Sequence, residues 1–131
     1  TIYLGSDIPP AAWADAVTTT SAVMSITAIP RRADARRVTA LAQAFDRPIA
    51  PHDCTGPVVW AASTHLSLHA PNALIQESVR AFFTGWYKEL VTELPVVHNG
   101  MISLNGKPGL GLELLPDLHR RADAMVRVSK A

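Results

Sequence analysis

Two short apolar runs in the middle of the chain each end in polar residues, and this pattern constrains the fold more than any other feature. The first run covers residues 48–51 and ends in His52-Asp53-Cys54-Thr55; the second covers residues 73–75 and ends in Gln76-Glu77-Ser78. The interval from His52 to Glu77 is 25 residues, enough for a strand, a turn, a helix and a return strand. The pattern therefore predicts βα units of a parallel sheet, with His52 and Glu77 at the carboxyl ends of neighbouring strands.

The segments around these runs have the features of helices and of one more strand. Pro57 follows Thr55-Gly56, and proline suits a first helical turn because its missing N–H would be unpaired there anyway, which predicts a helix from about Pro57 to Leu68. Upstream, an apolar stripe at helical spacing predicts another helix, formed by Val38, Leu41, Ala42 and Phe45. The small and apolar residues 22–29 predict a buried strand before that helix.

The C-terminal third of the sequence predicts a hairpin, a loop and a helix. Two apolar stretches, residues 96–97 and 101–104, flank the turn-prone sequence His98-Asn99-Gly100, which favours a β-hairpin. Residues 105–109 contain two glycines and a proline and predict a loop. From Pro116 to Val128, apolar residues near helical spacing predict a C-terminal helix.

Composition excludes several classes of protein. A length of 131 residues fits one domain, and 12 basic against 11 acidic residues give a net charge of +1, so neither nucleic acid nor an acidic membrane is an expected partner. No run approaches the roughly 18 apolar residues that a membrane span needs. Because the single Cys54 cannot form an internal disulfide, a reducing compartment, and hence the cytoplasm, is the expected location.

His52 and Glu77 are the main candidates for chemistry. In parallel α/β folds the catalytic groups lie at the carboxyl ends of the strands, so these two side chains are expected to face one pocket. A histidine can act as a general base near neutral pH, and a carboxyl beside it can hydrogen-bond a substrate oxygen or bind a metal. From these two residues alone, a purely structural pair is an equal alternative.

Weaker candidates come from a thiol and two further histidines. Cys54 lies two residues after His52, but residues so close in sequence rarely align a base with a nucleophile, and no signature surrounds it. His65 and His69 have the i, i+4 spacing of half a zinc site, yet residue 66 is Leu, where the H-E-x-x-H motif requires Glu. Satisfied histidines on a helix are therefore the favoured interpretation.

Two further features favour structural roles. Gly109-Leu110-Gly111 is similar to the start of a dinucleotide fingerprint but lacks its third glycine, which favours a tightly turning loop. The aromatic residues of segment 82–87 have no interleaved basic residues, which favours the core or a subunit contact over a surface for stacking bases.

Several ordered motifs resemble one family of enzymes. They are Ala50-Pro51-His52-Asp53-Cys54-Thr55-Gly56-Pro57, Pro71-Asn72 leading to Ile75-Gln76-Glu77, Gly85-Trp86-Tyr87, Asn99-Gly100 and Pro108-Gly109-Leu110-Gly111. Together they resemble the C-terminal part of the mandelate racemase/muconate lactonizing enzyme branch of the enolase superfamily, and most of all its acid-sugar dehydratases of the galactonate dehydratase type. The resemblance implies an α/β fold, namely the C-terminal portion of a (β/α)7β modified TIM barrel, and an essential Mg²⁺ ion.

The resemblance also implies roles for the two candidate residues. His52 would be the general base at the end of the seventh strand, and Glu77 the carboxyl at the end of the eighth strand that hydrogen-bonds the substrate carboxylate or the enediolate. In the family an Asp that lies 27 residues before the histidine orients it, whereas this chain has Ser25 there. The family's metal ligands lie on earlier strands that this chain does not match, so no metal ligand is assigned to it.

These implications define the expected organisation and function. We expect a divergent segment at 1–34, a family-matching barrel portion at 35–115 and a C-terminal helix at 116–131. A TIM barrel needs about 250 residues, so this chain supplies about two and a half βα units and is expected to be inactive alone. The expected function is the C-terminal part of a Mg²⁺-dependent acid-sugar dehydratase, with an acid sugar as substrate. The alternative is a non-catalytic interaction module that associates with itself or with the missing barrel strands.

Overall fold

A computed structural model describes residues 3–4, 32–53 and 55–126 of the chain. These residues form five strands, β1 (Tyr3–Leu4), β2 (His52–Asp53), β3 (Ile75–Ser78), β4 (Val96–His98) and β5 (Met101–Ser103). They also form the α-helices α1 (Arg32–Ala44), α2 (Pro57–His69) and α3 (Arg80–Thr84), and two 3₁₀ helices, Trp86–Glu89 and Leu118–Arg120. None of the helices in these ranges has the length and apolar content needed to cross a bilayer.

The predicted βα unit is present, and its two strands run parallel as predicted. β2 pairs with β3 in parallel, and His52 lies opposite Glu77 in the register. Helix α2 connects the two strands, as the parallel arrangement requires. Backbone hydrogen bonds extend the pairing upstream, because Leu74 N donates to Ile49 O and Glu77 N donates to Pro51 O, each at 2.9 Å.

The whole sheet has the order β2-β3-β1-β5-β4 and is mixed. β1 pairs in parallel with β3, whereas β5 runs antiparallel to both β1 and β4. β2 and β4 are therefore the edge strands of the sheet that the described residues form.

Helix α2 begins as predicted and packs an unusually polar face. Gly56 precedes it with φ +154°, a backbone conformation that disfavours other residues, and Pro57 occupies its first turn. Two of its buried hydroxyls are satisfied within the helix, because Ser63 and Thr64 both donate to Trp60 O, at 3.0 and 2.8 Å, and a third, Ser67, donates to Gln76. The hydroxyls therefore do not oppose burial.

Gln76 ties three elements together from a fully buried position. Its Nε2 donates to the carbonyls of Pro51 and Glu77, at 3.0 and 2.9 Å, and its Oε1 accepts a hydrogen bond from Ser67 on α2 at 2.9 Å. Since a buried amide without partners would be costly, this network fixes both the distance between β2 and β3 and the position of α2 against the sheet.

The C-terminal hairpin is confirmed and completes the core. Asn99 and Gly100 both have positive φ, 48° and 72°, which is the geometry of a tight two-residue turn between β4 and β5. Ile102 of β5 is buried with Trp60 and Tyr87, and partly buried apolar residues surround this cluster: Phe82, Phe83, Leu94 and Val97. Phe82, Phe83 and Tyr87 of the aromatic segment thus belong to the core, whereas Trp86 is 40% exposed.

Two sequence-based expectations have a different outcome, and a third is not tested. The predicted C-terminal helix from Pro116 is wrong over the described residues, because only the single 3₁₀ turn Leu118–Arg120 forms and residues 124–126 have no regular structure. Helix α1 is present, but Leu41 and Phe45 of its stripe are 62% and 69% exposed, since no described residues cover that side. The predicted strand 22–29 lies outside the described residues.

Candidate active site

The structure brings the two main candidate residues together. His52 and Glu77 lie opposite each other at the ends of β2 and β3, and His52 Nε2 lies 3.9 Å from Glu77 Oε2. Their side chains are 33% and 38% exposed, so both reach solvent from the same end of the sheet. A molecule at this edge could contact an imidazole nitrogen and a carboxylate at once, which is the arrangement that acid–base chemistry needs.

The other ring nitrogen of His52, Nδ1, faces the interior of the protein rather than solvent. Nδ1 is buried and has no hydrogen-bond partner among the described residues. In most catalytic histidines this nitrogen is bonded to an orienting group, which also fixes the tautomer. Ser25, which stands where the resemblance expects the orienting Asp, lies outside the described residues.

Asp53 lies directly after His52 and points into the protein. It is fully buried, and its Oδ2 accepts a hydrogen bond from the Tyr87 hydroxyl at 2.8 Å. Its Oδ1 accepts from the backbone N–H groups of Thr55 and Gly56, at 3.3 and 3.5 Å. Burial raises the pKa of Asp53 above its usual value of 3.8, although these hydrogen bonds and the nearby His52 oppose the rise.

The Asp53–Tyr87 contact holds the turn that follows the candidate base. Through it, residues 55–56 and the strand end are linked to the aromatic core, where the Tyr87 ring packs edge-on against Trp86 with the ring centroids 4.6 Å apart. The sequence favoured the core or a subunit contact for Tyr87 but contained no signal for this bond, because its partners are 34 residues apart. The polar character of Asp53 at a strand end was the only available hint.

The alternative sites receive no support as catalytic centres. Cys54 lies outside the described residues. His65 and His69 are on α2, but the predicted satisfaction of these histidines is wrong for one atom, because His65 Nε2 is buried and no described residue forms a hydrogen bond with it. Gly109 and Gly111 have φ of 70° and 74° within an irregular loop, as the interpretation of a tight turn predicts.

The described residues do not form a magnesium site. In the ranges 32–53 and 55–126, no three His, Cys, Asp or Glu side chains come close enough to hold one ion together. His52 and Glu77 are only two groups, and Mg²⁺ favours an octahedral set of oxygen ligands. The Mg²⁺ ion that the resemblance implies would need ligands from elsewhere.

Comparison with known proteins assigns the family. The family described as enolase C-terminal domain-like matches residues 32–118, which include β2, β3 and both candidate residues. This chain belongs to that family. Its sheet and helices are accordingly the C-terminal portion of an enolase-superfamily TIM barrel, as the resemblance implied.

Curated relatives of this enolase-like chain are dehydratases of sugar acids. It is 33% identical over 81 residues to D-xylonate dehydratase of Haloferax volcanii, which is 62% of this chain and 19% of that protein. It is 34% identical over 95 residues to D-galactonate dehydratase of Xanthomonas campestris pv. campestris, which is 66% of this chain and 24% of that protein. The chain thus spans about a fifth to a quarter of the length of these relatives.

Solved structures agree with the family. A mandelate racemase subgroup enolase from Agrobacterium tumefaciens, whose structure holds a succinimide residue, sodium and phosphate, is 59% identical, with a TM-score of 0.62 over 67% of this chain and 24% of that one. An enolase protein from environmental sequencing of the Sargasso Sea is 49% identical, with a TM-score of 0.63 over 70% of this chain and 24% of that one.

Proposed function

We propose that this chain supplies the C-terminal part of the active site of an acid-sugar dehydratase. In this proposal His52 removes the proton α to the carboxylate of the sugar acid, and Glu77 hydrogen-bonds the substrate carboxylate or the enediolate that forms. Loss of a hydroxyl group as water then completes the reaction. The observation that carries the proposal is the pairing of His52 with Glu77 at neighbouring parallel strand ends.

The position of His52 suits a base. Its Nε2 side is partly exposed beside Glu77, so a substrate carbon can approach this nitrogen from solvent. Its strand is held by Gln76 and by the Asp53–Tyr87 contact, which limits movement of the imidazole relative to the neighbouring carboxyl. The identities of the curated relatives, dehydratases of D-xylonate and D-galactonate, favour a sugar acid as the substrate class.

The proposal includes two expectations that the described residues do not test. The first is Mg²⁺ dependence, as in the enolase superfamily generally, with ligands from other strands of the barrel. The second is a cytoplasmic location. The described residues are a portion of the barrel, so activity is expected only when the other strands are present.

A chimera tests the proposed function. Residues 32–118 replace the matching segment of the Xanthomonas D-galactonate dehydratase, and dehydration of D-galactonate and D-xylonate is assayed with added Mg²⁺. We expect activity that is lost with His52→Asn and kept with the matched variant His98→Asn, which changes an exposed histidine on β4. A folded chimera whose activity survives His52→Asn would contradict the role of His52.

The alternative function is that of a non-catalytic interaction module. It is favoured by the exposure of Leu41 and Phe45 on α1 and by the unpaired outer edge of β2 within the described sheet. Such a chain would associate with itself or with barrel strands of a relative. A clean monomer at micromolar concentration in size-exclusion chromatography would count against this alternative, and a stable oligomer of the isolated chain would support it.

A further inference from the structure

Two Asn-Gly dipeptides lie close together in the C-terminal part of the chain. Asn99-Gly100 forms the turn between β4 and β5, and Asn105-Gly106 begins the loop after β5. Asn-Gly is the dipeptide in which the backbone can close on the asparagine side chain most easily, because glycine places no side chain beside the attacking nitrogen. Because the two dipeptides are identical but their surroundings differ, the rates of this ring closure at Asn99 and Asn105 can be compared directly.

Closure of the backbone on the asparagine side chain is the first step of an intramolecular deamidation. The backbone nitrogen of glycine attacks Cγ of asparagine, a new N–Cγ bond forms, and the Cγ–Nδ2 bond breaks so that ammonia leaves with the glycine N–H proton. The product is a five-membered succinimide. Water then opens the ring at either carbonyl and leaves aspartate or isoaspartate, so the only co-reactant is water.

We propose that Asn99 is a site of spontaneous succinimide formation and deamidation, and that a cage of hydrogen bonds protects Asn105. The cage consists of Glu93, Lys107 and Gly111. Asn105 Nδ2, the leaving nitrogen, donates to Glu93 Oε2 and to Gly111 O, both at 2.7 Å. Asn105 Oδ1 accepts from the backbone N–H of Lys107 at 3.1 Å, and the Lys107 ammonium pairs with Glu93.

The cage also restricts the space around the Asn105 side chain. Gly111 has φ +74°, and a Cβ at this position would collide with Asn105 Oδ1. The amide is therefore held against the loop backbone, and its Cγ cannot turn towards the Gly106 nitrogen until three hydrogen bonds have been released. The low pKa of Glu93, caused first by its hydrogen bond from Lys107, keeps this acceptor ionised.

Asn99 has no comparable restraint. It is exposed, and its side chain makes no hydrogen bond within the described part of the chain. Its neighbour Gly100 has nearly the same φ as Gly106, 72° against 73°, although Gly100 is buried and Gly106 is exposed. The reaction at Asn99 requires that the hairpin tip open and free the buried Gly100, whereas the reaction at Asn105 requires release of the three hydrogen bonds of the cage.

Peptide mapping of the aged chain tests the proposal. The full 131-residue chain is incubated at mildly alkaline pH, and ammonia loss, aspartate and isoaspartate are located at each asparagine by tandem mass spectrometry. We expect products at Asn99 to accumulate at least about tenfold faster than at Asn105, the factor that one hydrogen bond to a charged acceptor such as Glu93 represents. In denaturant the two rates should approach each other. An equal or faster rate at Asn105 in the folded chain would overturn the proposal.

A pair of variants tests the cage itself. Glu93→Ala removes an acceptor of Asn105, and Glu113→Ala is the matched control because Glu113 is exposed and is not among the hydrogen-bond partners that the described residues give Asn105. We expect the rate at Asn105 to rise severalfold in the first variant and to stay unchanged in the second, while the rate at Asn99 changes in neither. An unchanged rate at Asn105 in Glu93→Ala, or a difference between the two asparagines that persists in denaturant, would refute protection by the cage.

Discussion

Removal of one hydroxyl group, by Tyr87→Phe, should destabilise the chain strongly. The hydroxyl donates at 2.8 Å to the carboxyl of Asp53, and the two residues are 1% and 0% exposed. A hydrogen bond to a charged group contributes about 1.5–3 kcal/mol. Without it, the buried carboxyl would keep, among the described residues, two longer bonds from the backbone N–H groups of residues 55 and 56. We therefore expect the free energy of unfolding to fall by about 2 kcal/mol.

Urea unfolding followed by tryptophan fluorescence measures this loss. Trp60 is fully buried and stacks on Phe83 at 5.0 Å between ring centroids, so its emission should report loss of the core. The matched control is Thr84→Val, which also removes a hydroxyl with a short hydrogen bond, 2.7 Å to Arg80 O, but at an exposed position. We expect that control to cost less than about 0.5 kcal/mol.

A double-mutant cycle separates the contact from other effects of the substitutions. Asp53→Leu keeps a side chain of similar size and removes both carboxyl oxygens that could accept a hydrogen bond, and it is combined with Tyr87→Phe. If the two groups interact as the structure shows, the coupling should be about 1–2 kcal/mol. A coupling below about 0.3 kcal/mol, the usual level for independent sites, would refute the reasoning.

Three further predictions concern the same strand ends and the helix beside them. Gln76→Leu should lower the free energy of unfolding by about 2–3 kcal/mol in urea titration, because it leaves buried partners of the amide unpaired, whereas Leu at the exposed Gln43 should change it by less than about 0.5 kcal/mol. Because burial raises the pKa of Asp53 above 3.8, wild-type stability relative to Asp53→Asn should be greatest below that pH and should decline as pH rises through the raised pKa; a difference that grows with pH would contradict this. Gly85→Ala should cost about 1–3 kcal/mol and lower the thermal midpoint, because its Cβ would lie 2.7 Å from the backbone oxygen of Ala81; an unchanged midpoint would contradict the close packing.

The local pattern of the sequence was enough to predict the central βα unit. The apolar runs, the polar residues after them and Pro57 specify strand, turn and helix through short-range preferences, and parallel pairing then places His52 beside Glu77. The Asn99-Gly100 turn is predictable for the same reason, because its backbone conformation is a property of those two residues.

Other features depend on contacts that a sequence pattern does not contain. The bond between Asp53 and Tyr87 joins residues from different elements, and the buried position of Gln76 depends on Ser67 of α2. The predicted C-terminal helix had the right spacing of apolar residues but too little to pack against, since Met125 and Val126 are 78% and 68% exposed. A short amphipathic segment without a packing partner is only marginally helical.

The central claim is that His52 removes the proton next to the carboxylate of a sugar acid. The most direct measurement is the exchange of that hydrogen for deuterium, followed by NMR on D-galactonate in D₂O with Mg²⁺ and the chimera that contains residues 32–118. With the unchanged segment, we predict that the α-hydrogen of D-galactonate is removed, seen either as its exchange for deuterium in the substrate or as its absence from the product. With His52→Asn we predict neither. Continued exchange at the same rate in His52→Asn, with His98→Asn as control, would contradict the assignment of His52 as the base.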